Sequence, residues 1–374
     1  MIRVAEINRF NELYELKHIW NDLLAKCKDK HIFLTWEYIS TYWKHFGKER
    51  KLRLLCAMEK DKIIGIAPLR ESKFVFANSF SYNVIEPLGY RGGAGHGADY
   101  TGLILAEKEL DCFKAFLSYL FEQDDWDFIY LYDIPGTSVI PELLRKASKD
   151  VPMFEIIEGA VCPYIPIPSS MDIFMKKLRK KFRSNLRRRM RKLERDYRKV
   201  EFKRYDEVGS VRETMRIFMK LHQKRFNAIS MPGEFATKKI RDFYFEVAEN
   251  FASNGWLALH FLIVDDDPIA ADYSYYYEEK LYSALNGFDP NYSKYSPMHL
   301  LTLKVIEKCI NEGVKEYDLL KGGEPYKFDY TSTYRKNLGI RFVNNNFTSN
   351  MYNIGIKIAK KAGIEKVMQR FLKF

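Results

Sequence analysis

The residues best suited to chemistry gather late in the chain. Four carboxylates, Asp272, Asp289, Asp318 and Glu324, fall on or just beyond strand-like segments, and Tyr326 follows the last of them by two positions. A carboxylate placed beside a cleft can act as a general base. Each of the four has an equally ordinary use as a turn, cap or ion-pair residue, and Tyr326 as a packed ring; the sequence leaves that choice open. Between them runs a helix with distinctive punctuation. A β-like run over 281–288 and a polar loop over 292–295 lead to Ser296, where an N-cap belongs, and to Pro297, at a first helical position where its missing N–H costs nothing. Leu300, Leu301, Val305, Ile306, Cys309 and Ile310 then recur at helical spacing, Gly313 supplies a left-handed stop, and 316–320 reads as the next strand. Such a helix start concentrates unpaired N–H groups and the positive end of the helix dipole, which suits an anion such as a pyrophosphate. A ligand-free crossover can carry the same Ser-Pro start and Gly stop.

Other patterns limit the chemistry. A loop rich in glycine, 89–97, carries His96 just before Asp99 and Tyr100, and reads either as a substrate loop or as a plain turn. It has neither Walker A nor dinucleotide-fingerprint spacing. The seven histidines form no metal-binding pair, so no metal is expected, and no GxSxG elbow supplies a hydrolase nucleophile. Cys27, Cys56, Cys112, Cys162 and Cys309 are scattered and odd in number, which argues against a disulfide framework. No apolar run reaches the roughly 20 residues of a membrane span, and a cytoplasmic protein is expected.

The charge is localised. Residues 176–199 hold 14 basic side chains and two acids and so carry the whole net charge of +12, while the remaining 47 basic and 47 acidic residues cancel. Phe174, Leu178, Phe182, Leu186, Met190, Leu193 and Tyr197 form one apolar stripe through this segment. One face of the helix should pack. The rest is a solvated charged face or a surface for a nucleotide-linked sugar, an anionic membrane or tRNA. The tail over 352–374 is amphipathic too, suited to packing on the core or to a peripheral membrane contact.

These segments need a frame, and the sequence repeats one. Hairpins at 52–58 with 63–69 and at 257–264 with 269–277 align at a constant offset of 206 residues. Each is preceded by two helical segments (11–27 and 36–46; 211–227 and 237–253) and followed by strand, loop, helix and strand, with 109–123 and 126–134 as the helix and strand of the first half. The proline-rich stretch over 161–170 reads as the boundary.

This element order resembles the GNAT acyltransferase fold, and its tandem repetition resembles the CelD-like acetyltransferases and the related FemAB-type transferases. The matching stretches are Phe33-Leu34-Thr35-Trp36-Glu37-Tyr38, Gly65-Ile66-Ala67-Pro68-Leu69, Asp99-Tyr100-Thr101-Gly102, the basic helix with Asn185 and Leu193-Glu194, residues 292–301, Tyr317-Asp318, and Gly323-Glu324-Pro325-Tyr326-Lys327. One position departs: Met298 stands where CelD-like chains usually have glycine. The resemblance implies an α/β (α+β) fold of two tandem GNAT-like units, each a mixed twisted sheet flanked by helices. They are a degenerate unit over 1–165 and an acyl-coenzyme A-binding unit over 166–345, with a tail over 346–374.

It also implies an N-acyltransferase that uses acetyl- or acyl-CoA as co-substrate, without a metal. Asn286, Gly287 and Phe288 would belong to a splayed strand, and Tyr295, Ser296, Pro297, Met298, His299 and Leu300 to the pyrophosphate-binding turn. The base would be one of the four carboxylates, and Tyr326 would protonate the leaving thiolate. His96, Asp99, Tyr100 and Lys327 would contact the acceptor, an amine of a small molecule or of a nucleotide- or lipid-linked sugar. The resemblance leaves two rivals, a FemAB-like aminoacyl-tRNA-dependent transferase and a non-catalytic GNAT-like binding scaffold.

Overall fold

A computed structural model of the chain describes residues 2–48, 50–76, 80–90, 97–149 and 154–344. It divides into two compact units, residues 1–160 with 336–374 and residues 161–335. The sequence reading put 336–345 in the second unit. Of these, 336–343 belong with the first, because the strand that they continue pairs there.

In the first unit, β1 (Ile2–Ile7), the helices α1 (Phe10–Glu15), α2 (Lys17–Lys26) and α3 (Trp36–Phe46), and the hairpin β2 (Lys51–Glu59) and β3 (Lys62–Phe76) precede β4 (Phe80–Pro87) and the short β5 (Ile104–Leu105). Next come α4 (Glu109–Phe121), β6 (Phe128–Pro135) and α5 (Ile140–Ala147). Thr35 caps α3 by accepting the Tyr38 N–H. The sheet order is β1–β2–β3–β4–β6. All neighbours are antiparallel except β4 and β6, which the α4 crossover makes parallel.

The boundary falls inside a strand. β7 (Phe154–Pro166) starts in the first unit and ends in the second, so the prolines that looked like a linker, Pro163 and Pro166, lie in a strand. α6 (Met171–Lys177) and α7 (Lys180–Asp196) follow, then β8 (Val200–Tyr205), α8 (Val211–Asn227) and α9 (Lys238–Ser253). The strands β9 (Leu257–Val264), β10 (Asp267–Tyr277) and β11 (Lys280–Phe288), the helix α10 (Pro297–Asn311) and β12 (Glu316–Asp318) complete the second unit's repeat. Its sheet runs β8–β9–β10–β11–β12, again with only the last pair parallel, and the end of β7 covers β12 antiparallel. β13 (Tyr334–Val343) plays the same covering part on β6 in the first unit.

The apolar stripe of the basic segment is wholly used. Phe174, Leu178, Leu186 and Leu193 are buried in the second unit's core with Leu300, Leu301 and Val305, and Phe182, Met190 and Tyr197 pack against it. The arginines and lysines therefore take the other face.

Candidate functional site

The site begins where two strands part. β11 and β12 pair over only three positions, Lys280 with Glu316, Leu281 with Tyr317 and Tyr282 with Asp318. β11 then runs on to Phe288 while the other chain turns away, because the Asp318 carboxylate accepts the N–H of Leu320 (2.8 Å) and Leu320 adopts a left-handed conformation, φ 58°. Asp318 is fully buried and paired with Arg335 at 3.1 Å. It is the carboxylate that opens the gap, not a base facing it. Lys327 holds the turn: its buried ammonium donates to the carbonyls of Leu320, Lys321 and Gly322 and pairs with Glu324. Glu324, a candidate base, and Lys327, an expected acceptor contact, are thus paired with each other within the turn.

On the other strand, the register slips between Tyr273 and Ser274 of β10, so Ala284 is the extra residue of a bulge in β11. A bulged residue leaves the ladder and re-aims its neighbours. The gap so formed is a chamber of about 110 Å3, walled by Ser283, Asn286 and Phe288 of β11, Tyr317 and Leu319 beyond the gap, and Met298, His299 and Thr302 from the first turns of α10. Asp272 of β10 lines it. Tyr326 and Tyr330 border both this chamber and a groove of about 1070 Å3 that also includes Lys177, Arg179 and Phe328.

Three hydroxyls converge on Asp272: Ser274 Oγ, Ser283 Oγ at 2.8 Å and Tyr317 Oη at 3.5 Å. They fix the rotamer of the one predicted carboxylate that reaches the chamber. Asp289, in contrast, accepts the N–H of Asn291 at the start of a 3-10 turn and pairs with Lys224, which makes it a cap.

The phenol of Tyr326 accepts a hydrogen bond from the Asn286 side chain, and burial, then Glu324, raise it above its ordinary value of 10. It keeps its proton at neutral pH and has it available to donate. His299 Nδ1 lies 2.5 Å from Tyr330 Oη, and burial, then the Arg189 guanidinium, hold the imidazole below its ordinary 6.5. The neutral ring and the phenol share one hydrogen bond.

The turn expected to hold a phosphate is built differently from the expectation. Pro297 stands at the first helical position as expected, but Ser296 is left-handed, φ 51°, and its side chain caps nothing. Tyr295 and Leu300 are core residues, and the Tyr295 hydroxyl is spent on Asp196. The first turn of α10 nevertheless holds no acid, and Arg189 acts on His299 within it. Those features fit an anion. Gly287 serves packing: an added Cβ would sit 2.3 Å from the backbone N of His222 on α8.

The expected acceptor loop divides. Tyr100 is buried in the first unit's core, the Asp99 carbonyl accepts from Asn337, and His96 lies outside the described residues, as does the tail over 346–374.

Sequence reasoning missed Arg225 and His222. His222 Nδ1 lies 2.8 Å from the Asn286 carbonyl oxygen, and Nε2 accepts the Glu234 N–H, so the proton is on Nδ1. Arg225 donates to Asn286 Oδ1. Their only signal in the sequence is a basic residue and a histidine three apart on a helix that crosses a strand at a glycine. Among the described residues no helix is long and apolar enough to cross a membrane, and no three metal-binding side chains cluster.

Residues 180–328 match the family model described as an acetyltransferase (GNAT) domain. No curated protein matches the sequence. Solved structures share the fold over nearly the whole chain at low identity. FemX is 10% identical with a TM-score of 0.60, over 94% of this chain and 99% of that one. The C-terminal domain of a putative lysylphosphatidylglycerol synthetase from Agrobacterium fabrum is 10% identical at 0.54, over 93% and 97%. L-PGS from Bacillus licheniformis is 10% identical at 0.52, over 88% and 92%. With the domain match falling on the strands and helix that form the chamber, the second unit carries an acetyltransferase (GNAT) domain, and the first unit repeats its order of strands and helices.

Proposed function

We propose that the second unit transfers an acetyl or longer acyl group from coenzyme A to an amine. The observation that carries this reading is the parting of β11 from β12 after three pairs, which leaves a chamber bounded by the acid-free start of α10. The first turn of α10, Met298 and His299 included, would hold the pyrophosphate, with Arg189 adding charge. The co-substrate supplies an acyl group activated as a thioester. Asp272 takes the proton that the attacking amine sheds, and Tyr326 gives its own to the departing sulfur. Donors fixed along the bulged β11 would polarise the carbonyl oxygen before charge develops on it.

The acceptor would occupy the groove beyond Tyr326, where Lys177, Arg179 and Phe328 offer cations and an aromatic ring. A small molecule or a nucleotide- or lipid-linked sugar in cell-envelope or polysaccharide assembly is consistent with that lining. Calorimetry with acetyl-CoA and long-chain acyl-CoA, followed by assay of thiol release with a panel of amines, tests the reading. Absence of coenzyme A binding would overturn it.

A second reading, aminoacyl transfer from charged tRNA, draws on the exposed arginines of α7. Arg187, Arg188 and Arg191 form no ion pair with a carboxylate among the described residues. The same surface suits an anionic membrane, and a protein that works in the cytoplasm at such a surface fits both. Salt-sensitive binding of tRNA without binding of coenzyme A would favour the second reading over the first.

A further inference from the structure

We infer that Arg225 reads a carboxylate next to the reacting nitrogen, so that the acceptor presents an α-amino acid head to the chamber. This rests on the acyl-transfer reading of the same site. Arg225 comes from α8, is half-buried and lines the chamber. A guanidinium has five N–H donors in a planar fork and stays charged. The donation to Asn286 Oδ1 occupies part of that fork, and the ring of Phe226 lies 5.5 Å from the guanidinium carbon. Among the described residues no carboxylate pairs with it. Asp272 is held by hydroxyls, Glu324 is taken by Lys327, and Asp289 by Lys224.

The chamber thus holds one anion and one cation that are not paired with each other, and the Tyr326 phenol feels both. A half-buried charge without a counter-ion is costly unless a ligand supplies one. The ligand that satisfies both carries an amino group for Asp272 and a carboxylate for Arg225. The chamber shares Tyr326 and Tyr330 with the larger groove, which has room for what the head carries. The side chain, or whatever larger body carries the head, then lies in the groove past Tyr326. An amino acid esterified to a tRNA has no free carboxylate to offer, so Arg225 distinguishes this acceptor from an aminoacyl donor.

The test compares each amino acid with its decarboxylated partner, L-phenylalanine with 2-phenylethylamine and L-alanine with ethylamine, by thiol release from acetyl-CoA. The variants are Arg225→Gln and Arg225→Lys. The kcat/KM ratio of amino acid over amine is expected to be roughly 10- to 100-fold in the parent, the range of a charged hydrogen bond. It should fall to about 1 in Arg225→Gln and recover in part in Arg225→Lys. Release of thiol with no preference for the carboxylate, or a preference that survives Arg225→Gln, overturns the inference and leaves the acyl-transfer reading standing. Should no amine release thiol, calorimetry with the same amino acids decides. Binding that Arg225→Gln abolishes keeps Arg225 as the reader of an amino acid's carboxylate, no binding overturns the inference, and coenzyme A binding decides the acyl-transfer reading separately.

Discussion

The two units solve the same geometrical problem and put different residues at the same point. Each closes a parallel pair with a crossover helix, β4 and β6 with α4, β11 and β12 with α10, and each helix is entered through a left-handed residue, Lys108 at φ 47° and Ser296 at φ 51°. The first turn of α4 holds Glu109 and Asp111, while that of α10 holds none. Acids in the first turn satisfy the helix dipole from within the chain and repel a phosphate. On the α4 face of the first unit's parallel pair, Ile85, Ile129 and Leu131 pack in a filled core with Phe113 and Phe116 of α4. The second unit has a chamber there. A receptive site in this frame is made by withholding bulk and acid, so one copy can keep the architecture without the chemistry.

Kinetics offer the harshest test of that contrast. Asp272→Asn in the second unit is expected to slow acyl transfer by roughly 100- to 10,000-fold, the usual worth of a general base, with acyl-CoA affinity retained. Glu86→Gln, at a buried carboxylate of the first unit, should leave the rate constant unaltered in steady-state assays. A fast Asp272→Asn enzyme would mean that the chamber is not where protons move.

Packing gives the next largest effect. Gly287→Ala would drive a Cβ into the backbone of α8 and should cost about 1–3 kcal/mol in denaturant titrations. At Gly323 nothing lies within 4 Å of the added atom, and Gly323→Ala should be close to neutral. Equal costs at the two glycines would show that α8 does not depend on its close approach to β11.

Charge at the helix starts sharpens the comparison further. Met298→Asp gives α10 the acid that α4 already has, and coenzyme A affinity measured by calorimetry is expected to fall roughly tenfold, about 1.4 kcal/mol. Removing the acids of the first unit with Glu109→Gln and Asp111→Asn should leave that affinity unchanged. If the double variant of the first unit gained a second equivalent of bound co-substrate, bulk would be less decisive there than acid.

The smallest effect is one of pH. The His299 imidazole resists protonation in the folded unit because of burial and Arg189, while in the unfolded chain it titrates near its ordinary 6.5. The unfolded chain therefore takes up more protons as pH falls, and the stability that the neutral ring contributes, complete above 6.5, is lost as pH drops through the lower folded value. Hydrogen exchange at acid and neutral pH should show the second unit weakening more than the first, and His299→Gln should remove the difference.

Much of the frame was legible because it is written locally. Helices at 36–46 and 211–227 carry their own periodicity, and Gly313, at φ 72°, stops α10 as its position implies. What could not be read was pairing at a distance. β13 finds β6 some two hundred positions earlier, and no local pattern in Tyr334–Val343 names that partner. The candidate bases were legible as a set but not as a choice. Asp318, Asp289 and Asp272 look alike until burial assigns one to a turn, one to a cap and one to a chamber. Arg225 was hidden because a basic residue near the end of an amphipathic helix usually faces water.

The strand exchange at the ends of the repeats has a consequence for synthesis. All the strands that complete the second unit's sheet lie between Val161 and Arg335, so that sheet can close soon after its last element leaves the ribosome. The strands β1 to β6 of the first unit are made earlier, yet the unit lacks the partner of β6 until β13 has been made. For most of translation it must carry an open strand edge, the kind of edge that recruits other chains. The earlier-made half is thus the later to mature, and truncation upstream of β13 should injure the distant amino-terminal unit first.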